Sequence, residues 1–535
     1  MAEEFDFVVV GGGSGGSAVA GRLSEDAQTS VALLEAGGAN DNWVVTTPGA
    51  IVLMVAGPIN NWRMETVPQK GLNGRIGYQP RGKGLGGSSA INAMVYIRGH
   101  KWDYDHWASL GNRGWSYDEV LPYFKRSEDN SEFEDAYHGK GGPLSVTKLR
   151  SDNPVQDIFL QAAREAQFPI REDFNGDEQE GAGVYQVTQK NGERWSAARG
   201  YIHPFIGKRP NLKVETKAHA TRILFEGKRA VGVEYRQGKM TKIVRARREV
   251  ILAAGAFQSP QLLMLSGVGD AAALKQHGIA SVHHLPGVGQ NLQDHPDFVF
   301  AFRSDLPHFT GLTFPGLQRI FKGIGQYRRE RRGPMTSNVA ECGGFLKTRP
   351  DLDIPDIQLH FCMAVIDDHG RKRFYGNGFS CHVCLLRPKS RGSVWLRSAD
   401  PMQLPMIDPN FFGDPDDLEA MVAGYKTTRR ILDAPSMKAI ETEDLYTANV
   451  RTDEEIRNAI RSRADTVYHP VGTCKMGVND PLAVVDPSLK VYGLEGLRVA
   501  DASIMPTLIG GNTNAPSIMI GEKLADMIKT ELRPH

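Results

Sequence analysis

Residues 5–38 read FDFVVVGGGSGGSAVAGRLSEDAQTSVALLEAGG, and this stretch decides the fold. Phe7 to Val10 form a short apolar, mostly β-branched run suited to a buried parallel strand. Gly11, Gly13 and Gly16 follow with GxGxxG spacing, and Ser17 to Ser24 have helical character. The first glycine allows a tight turn, the second lets backbone approach a pyrophosphate, and the third lets helix pack closely on strand. Phosphates are favoured at that helix N-terminus by free N–H groups and the helix dipole. After a second strand, Val31 to Leu34, Glu35 stands nineteen positions beyond Gly16, placed to accept from ribose hydroxyls. An acid there disfavours a 2′-phosphate. Strand, glycine turn, helix, strand and terminal acid together point to a dinucleotide, without separating NAD from FAD.

At 535 residues the chain exceeds the size at which one core stops growing, so two or more lobes are expected. Charge is balanced, 63 Lys and Arg against 62 Asp and Glu, which argues against nucleic acid or a strongly polyanionic substrate. The expected partner is a small molecule. Five cysteines, Cys342, Cys362, Cys381, Cys384 and Cys474, make no disulfide framework and fit a reducing cytoplasm. Cys381-x-x-Cys384 stands alone in a strand-like context, and one pair cannot complete a tetrahedral zinc site. These read as core thiols, and no metal is expected. The acidic N-terminus MAEEFDF lacks the basic and apolar regions of a signal peptide, and no apolar run approaches the ~18 residues that span a bilayer. The expectation is a cytoplasmic protein, with peripheral contact on the inner face of the cytoplasmic membrane left open. The basic cluster Arg328-Arg329-Glu330-Arg331-Arg332 reads as a solvated face.

Between residues 40 and 80, Pro48, Pro58, Pro68 and the Asn60-Asn61-Trp62 turn suggest long loops. From Pro80 to His100, Gly82, Gly84, Gly86 and Gly87 precede Ser88, Ser89 and an apolar, helix-like run. Tyr117 to Arg126 and Val155 to Ala166 read as helices. Leu212 to Val214, Thr221 to Phe225 and Ala230 to Tyr235 alternate as a small sheet, and Val250 to Ala254 as a buried strand. A helix started by Ser259, with Pro260 at its first position, follows. His295, in a glycine- and proline-flanked loop, reads as structural. Ile357 to Cys362 and Phe379 to Leu386 are further strands, and Ser517 to Leu532 a closing helix on the nucleotide sheet.

Residues 82–96, GKGLGGSSAINAMVY, and residues 255–269, GAFQSPQLLMLSGVG, resemble the two signatures of the glucose-methanol-choline (GMC) flavoprotein oxidoreductases at every specified position. Residues 388–394, PKSRGSV, and 407–410, IDPN, resemble the family's C-terminal segment, so the likeness covers nearly the whole chain. The resemblance implies an α/β fold: a Rossmann-like FAD-binding lobe with an inserted substrate lobe on an antiparallel sheet. The division it suggests is 1–155, 200–300 and 470–535 for FAD, with 156–199 and 301–469 as the substrate-binding cap. It assigns to FAD Gly11, Gly13, Ser14, Gly16, Glu35 and Ala36, then Trp62, Arg81, Gly87, Ser88, Asn92, Ala93, Met94 and Val95, and finally Ala220, Asp501, Ala502 and Thr513. Members that attach FAD covalently use a histidine where this chain has Ile91, so the cofactor is expected to be non-covalent.

The same resemblance places His469 at the family's active-site histidine and Asn512 where members carry histidine or asparagine. Oxidising an alcohol requires removing its hydroxyl proton while hydride leaves the carbon, and histidine is the side chain matched to that proton near neutral pH. The Asn512 amide does not titrate, but its NH₂ can donate to the alcohol oxygen as charge builds. The expected function is oxidation of an alcohol, a primary one, to the aldehyde. Hydride passes to flavin N5 and electrons to a quinone or other respiratory acceptor, as in bacterial choline-dehydrogenase-like alcohol and polyethylene glycol dehydrogenases. The alternatives are an oxidase that makes peroxide and a hydroxynitrile-lyase-type use of the scaffold.

Overall fold

The computed structural model describes residues 3–309, 311 and 313–533. Strand Glu3–Val10 lies at the middle of a seven-stranded sheet, parallel to Val31–Glu35 on one side and to Met240–Leu252 on the other. Val8, Val9, Leu33 and Ile251 are fully buried, and each such side chain contributes roughly 1.5–3 kcal/mol. Leu212–Thr216 extends the sheet beyond Val31–Glu35 in parallel register, while Arg229–Gln237 and Ala218–Glu226 extend it the other way as an antiparallel meander. The segments read as a small sheet are therefore parts of one larger sheet, lying on both sides of Glu3–Val10. Met240–Leu252 is long enough to carry the meander on its first half and Leu497–Val499 on its last three residues.

Neighbours of Glu3–Val10 on opposite sides make its carboxyl end a topological switch point, the place where open α/β sheets bind ligands. Gly11 turns there with φ of 103°, and a Cβ on it would lie 2.4 Å from the Ala253 carbonyl. Helix Ser14–Leu23 begins three residues earlier than its sequence suggests, because Gly15 and Gly16 sit inside it where Ala500 and Gly11 carbonyls leave no room for a side chain. The closing helix, Asn514–Glu531, packs along it.

The second sheet is antiparallel, in the order Glu443–Asp444, Pro296–Arg303, Gly378–Leu385, Ile357–Cys362, Ala340–Leu346, Gly181–Val184. Alternation sorts its faces. Ile357, Leu359 and Phe361, with Phe379, Cys381, Val383 and Leu385, form a core that includes Phe298, Phe300 and Tyr425 of the helix Pro415–Leu432. Gln358, His360, Cys362, His382 and Cys384 take the other face. Cys381 and Cys384 thus point to opposite sides, and all five cysteines are buried and free.

Three sequence expectations are corrected. Residues 40–80 hold short helices, Trp43–Thr46 and Ile51–Val55, rather than loops alone. The run after Ser88 is a single 3-10 turn, Gly87–Ala90, because Gly86, Gly87 and Met94 all take positive φ. The helix placed at Ser259 starts at Gly255, whose φ of 86° lets the chain turn straight out of the strand. Pro260 lies inside that helix, and the carbonyl its missing N–H leaves free, on Ala256, accepts from the Thr473 hydroxyl at 2.5 Å.

Candidate active site

One cavity of about 350 Å³ runs along the carboxyl edge of the first sheet and under the second. Its first wall is the set of residues that ends four of the parallel strands: Val10 and Gly11, Glu35 and Ala36, Ala253 and Ala254, and Asp501. Glu35 is buried and its carboxylate accepts from three backbone N–H groups, Gly12 at 2.9 Å, Gly37 at 2.7 Å and Gly84 at 2.9 Å. Burial raises its pKa against those three bonds. Two bonds fall on Oε1 and one on Oε2, so Oε2 keeps acceptor capacity.

Two helix N-termini open onto the same wall. Ser14–Leu23 and Asn514–Glu531 both start without a side-chain cap, and Ser14 Oγ donates to Asn514 Oδ1 at 2.7 Å where the two meet. Uncapped first-turn N–H groups facing a cavity suit a pyrophosphate. Asp501 ties this wall to the Gly255–Leu265 helix, accepting from the Gly255 N–H at 2.9 Å and the Ser259 hydroxyl at 2.6 Å. Ser259 Oγ in turn accepts from the Ala254 N–H, so this serine caps the helix from within it.

At the far end lie His469 and Asn512. Asn512 Nδ2 is 3.2 Å from His469 Nε2, and Asn512 Oδ1 accepts from Gln358 Nε2 at 3.0 Å, which fixes the amide with its NH₂ toward the histidine. His295 Nδ1 is 3.0 Å from His469 Nδ1. His295 Nε2 faces two carbonyls, Leu386 at 3.0 Å and Ile509 at 3.2 Å, which can only accept. Burial drives the His295 pKa down to about 3, so the ring is neutral, with its proton on Nε2 and a lone pair on Nδ1. His469 must then donate from Nδ1, leaving the Nε2 lone pair to accept from the Asn512 NH₂. Burial, followed by the fields of His295, His360 and Arg81, holds the His469 pKa well below the ordinary histidine range. Its backbone N–H is fixed at 2.8 Å by Asp294, whose carboxyl burial lifts to about 6.

Of the residues singled out in the sequence, all but one line this cavity. The exception is Gly16, whose would-be Cβ lies 1.9 Å from the Gly11 carbonyl; it serves helix–strand packing, not the cavity wall. Four contributors were not found by sequence reading. His360 lines the cavity with both ring nitrogens buried and unpartnered, and His382 lines it with Nδ1 held 2.6 Å from Asp297. His295 was taken as merely structural, and its contact is with the 469 imidazole itself. Arg194, wholly buried, holds the 89–92 turn through the Ser89 and Asn92 carbonyls. Each lies at least 85 residues from the group it serves, and only the alternation of Ile357–Cys362 carried any signal.

Models of the GMC oxidoreductase family match residues 5–297 and 388–521. The chain belongs to the GMC oxidoreductase family. Over 98% of its length this GMC oxidoreductase is 50% identical to an alcohol dehydrogenase [acceptor] of Pseudomonas putida, covering 95% of that protein. It is 44% identical to an oxygen-dependent choline dehydrogenase of Brucella anthropi, covering 98% of this chain and 95% of the other. A solved structure of Aspergillus oryzae formate oxidase superposes with a TM-score of 0.92 at 30% identity, over 99% of each chain. This GMC oxidoreductase is thus a flavoprotein oxidoreductase of the CH–OH class, and the family implies FAD. The uncapped helix pair, the spare Glu35 oxygen and the length of the cavity fit that cofactor.

Proposed function

We propose that the chain oxidises a primary alcohol to the aldehyde, with His469 Nε2 taking the hydroxyl proton and Asn512 Nδ2 donating to the alcohol oxygen. The observation that carries this reading is the 3.2 Å pair of His469 Nε2 and Asn512 Nδ2, each with its orientation enforced from behind, by His295 and Gln358. A base must be unprotonated when substrate arrives, and burial keeps His469 so. When it takes the proton, the imidazolium keeps donating from Nδ1 to the neutral His295 ring, while the Asn512 NH₂ that faced Nε2 is released to the alcohol oxygen. Asn512 donates where negative charge develops on oxygen and supplies no charge of its own.

FAD, when bound, supplies the acceptor for the hydride. Ser14, Glu35 and Asp501 would hold its nucleotide part, and Asn92 to Val95 with Ala502 and Thr513 the remainder. Ile91, buried in a cluster with Val45, Met54 and Ala90, offers no atom for a covalent link. His382 shields Asp297 and presents an imidazole, so that wall shows no free carboxylate and favours an uncharged alcohol over a quaternary ammonium one. The name of the Pseudomonas putida relative leaves its acceptor open, and our choice for this chain is a quinone, with the protein on the cytoplasmic side of the cell. We keep the two-lobe division at 1–155, 200–300 and 470–535 against 156–199 and 301–469.

Anaerobic mixing of the FAD-loaded protein with aliphatic, aromatic, glycol and choline-type alcohols tests the reading. Bleaching of the flavin by neutral primary alcohols is expected; no bleaching by any alcohol would sink it. Turnover with a quinone, compared with peroxide formed in air, separates dehydrogenase from oxidase.

A further inference from the structure

The cavity reaches the surface at Val52, which lines it and is nonetheless 45% exposed. Around that opening the chain forms a closed collar. Helix Ile51–Val55 continues the turn Pro48–Ala50, which packs on Pro334–Thr336, which packs on the helix Phe314–Glu330. The approach to that helix abuts the Gly376 carbonyl at Gly311, and the turn Asp368–Gly370, just before Tyr375, returns to Ile51–Val55. The collar is apolar outward: Trp43 is 66% exposed, Phe314 75%, Phe321 73% and Tyr375 70%, with Leu53 exposed between. Phe314, Gln318 and Phe321 fall at i, i+4 and i+7, so the two phenylalanines share one solvent-facing stripe of the helix. Single exposed apolar side chains are ordinary; several large aromatics ringing one opening are not.

The collar is also basic. Across residues 39–59, 313–330 and 366–375 there are seven Lys and Arg against four Asp and Glu. Lys322 and Arg328, beside the aromatic stripe, make no ion pair among the described residues. Arg331 and Arg332 do, with Glu193 and Asp152, so the basic run conspicuous in the sequence is largely satisfied within the chain.

We propose that this collar seats the protein on an anionic lipid surface, with the mouth of the cavity against the bilayer. Aromatic residues at the tip and cations beside them match the apolar and anionic layers of such a surface. A bilayer rather than a protein partner fits the make-up of the face, where exposed aromatics and cations unpaired among the described residues lie together around the opening. Apolar alcohols and a lipid-soluble acceptor would then enter without crossing water. The proposal is independent of the chemistry at His469.

The test is flotation of the FAD-loaded protein with vesicles of phosphatidylcholine alone and of phosphatidylcholine with phosphatidylglycerol, at low and high salt. Binding to the anionic vesicles that weakens with salt is expected, and F314S/F321S should weaken it at least roughly tenfold while turnover of a water-soluble alcohol with a soluble dye stays unchanged. K322E/R328E should remove the preference for phosphatidylglycerol. Wild-type protein that floats with neither vesicle overturns the proposal, and so does F314S/F321S that floats like the wild type. A self-association in solution that F314S/F321S abolishes, with no vesicle binding, assigns the face to a second copy instead and also overturns it.

Discussion

His295 Nδ1 and His469 Nδ1 face each other at 3.0 Å, and because His295 spends its only proton on the Leu386 and Ile509 carbonyls, His469 is the donor of the pair. The proposed base is thereby held as one tautomer by a residue that never touches substrate. His295→Leu should retain FAD and slow flavin reduction by alcohol roughly 10- to 100-fold, a loss like that on removing the partner that orients a metal-ligating histidine. His295→Gln, whose amide can accept from His469 and donate to the carbonyls, should recover part of the rate. Equal rates in the leucine and glutamine variants would remove the tautomer argument.

His469→Ala should keep its flavin and lose roughly 10²- to 10⁴-fold in the rate of flavin reduction, the usual share of general base catalysis. Stopped-flow reduction under anaerobic conditions reads this directly. Unchanged reduction would take the base away from His469.

Gly16 and Gly38 separate packing from mere glycine content. A Cβ at residue 16 would stand 1.9 Å from the Gly11 carbonyl, in the turn that the first strand and helix share, whereas a Cβ at residue 38 meets nothing within 4 Å. Gly16→Ala should therefore yield protein that retains little FAD and melts at lower temperature, and Gly38→Ala should match the wild type. Flavin absorbance after gel filtration and a thermal melt give both readings. Full flavin content in the first variant would contradict the geometry.

The nucleotide half of the fold was legible because its physics is local. A β-branched run, three glycines and an acid lie within some thirty residues, and each is needed by a neighbour in sequence. Where local rules were read too literally they misled: Ser259-Pro260 looked like a helix start, yet Gly255 had already turned the chain, and Thr473 repairs the bond that Pro260 omits. The catalytic end is different in kind. His469 and Asn512 stood out only through a family likeness, and what orients them comes from residues 174 and 154 positions away. No pattern in the sequence reports that a loop histidine at 295 has both nitrogens committed; that follows only once the Leu386 and Ile509 carbonyls are in place.

Arg194 is wholly buried, donating to the carbonyls of Val45 at 3.0 Å, Ser89 at 3.3 Å and Asn92 at 2.5 Å, and to the Asn92 side chain at 3.0 Å. Burial lowers its pKa to about 9, so it stays charged at neutral pH while fixing the turn that leads into Asn92 to Val95. Arg194→Met leaves those acceptors unmet and should cost about 1–3 kcal/mol of stability together with FAD affinity. Arg194→Lys should not rescue it, because a single ammonium cannot span from Val45 to Asn92. A urea midpoint and flavin content equal to the wild type in Arg194→Met would show the turn to be self-supporting.

Three buried histidines set an acid limit on the fold. His295 and His360 are both depressed to about 3, and His469 lies well below its ordinary value, each chiefly by burial. Above pH 6.5 the folded and unfolded forms are equally unprotonated at these rings, and they do not affect stability. As pH falls below 6.5 the unfolded chain binds protons that the folded one refuses, so stability is lost at about 1.4 kcal/mol per pH unit for each histidine, down to its folded pKa. Asp294, raised to about 6, works in the opposite sense between its folded and unfolded values and offsets part of one histidine. His360→Gln removes one ring whose nitrogens meet no partner, and should flatten the fall in urea midpoint between pH 6.5 and 5 by roughly a third of the histidine contribution. Identical slopes for the two proteins, each measured with FAD in excess, would mean that His360 already takes up its proton in the folded state.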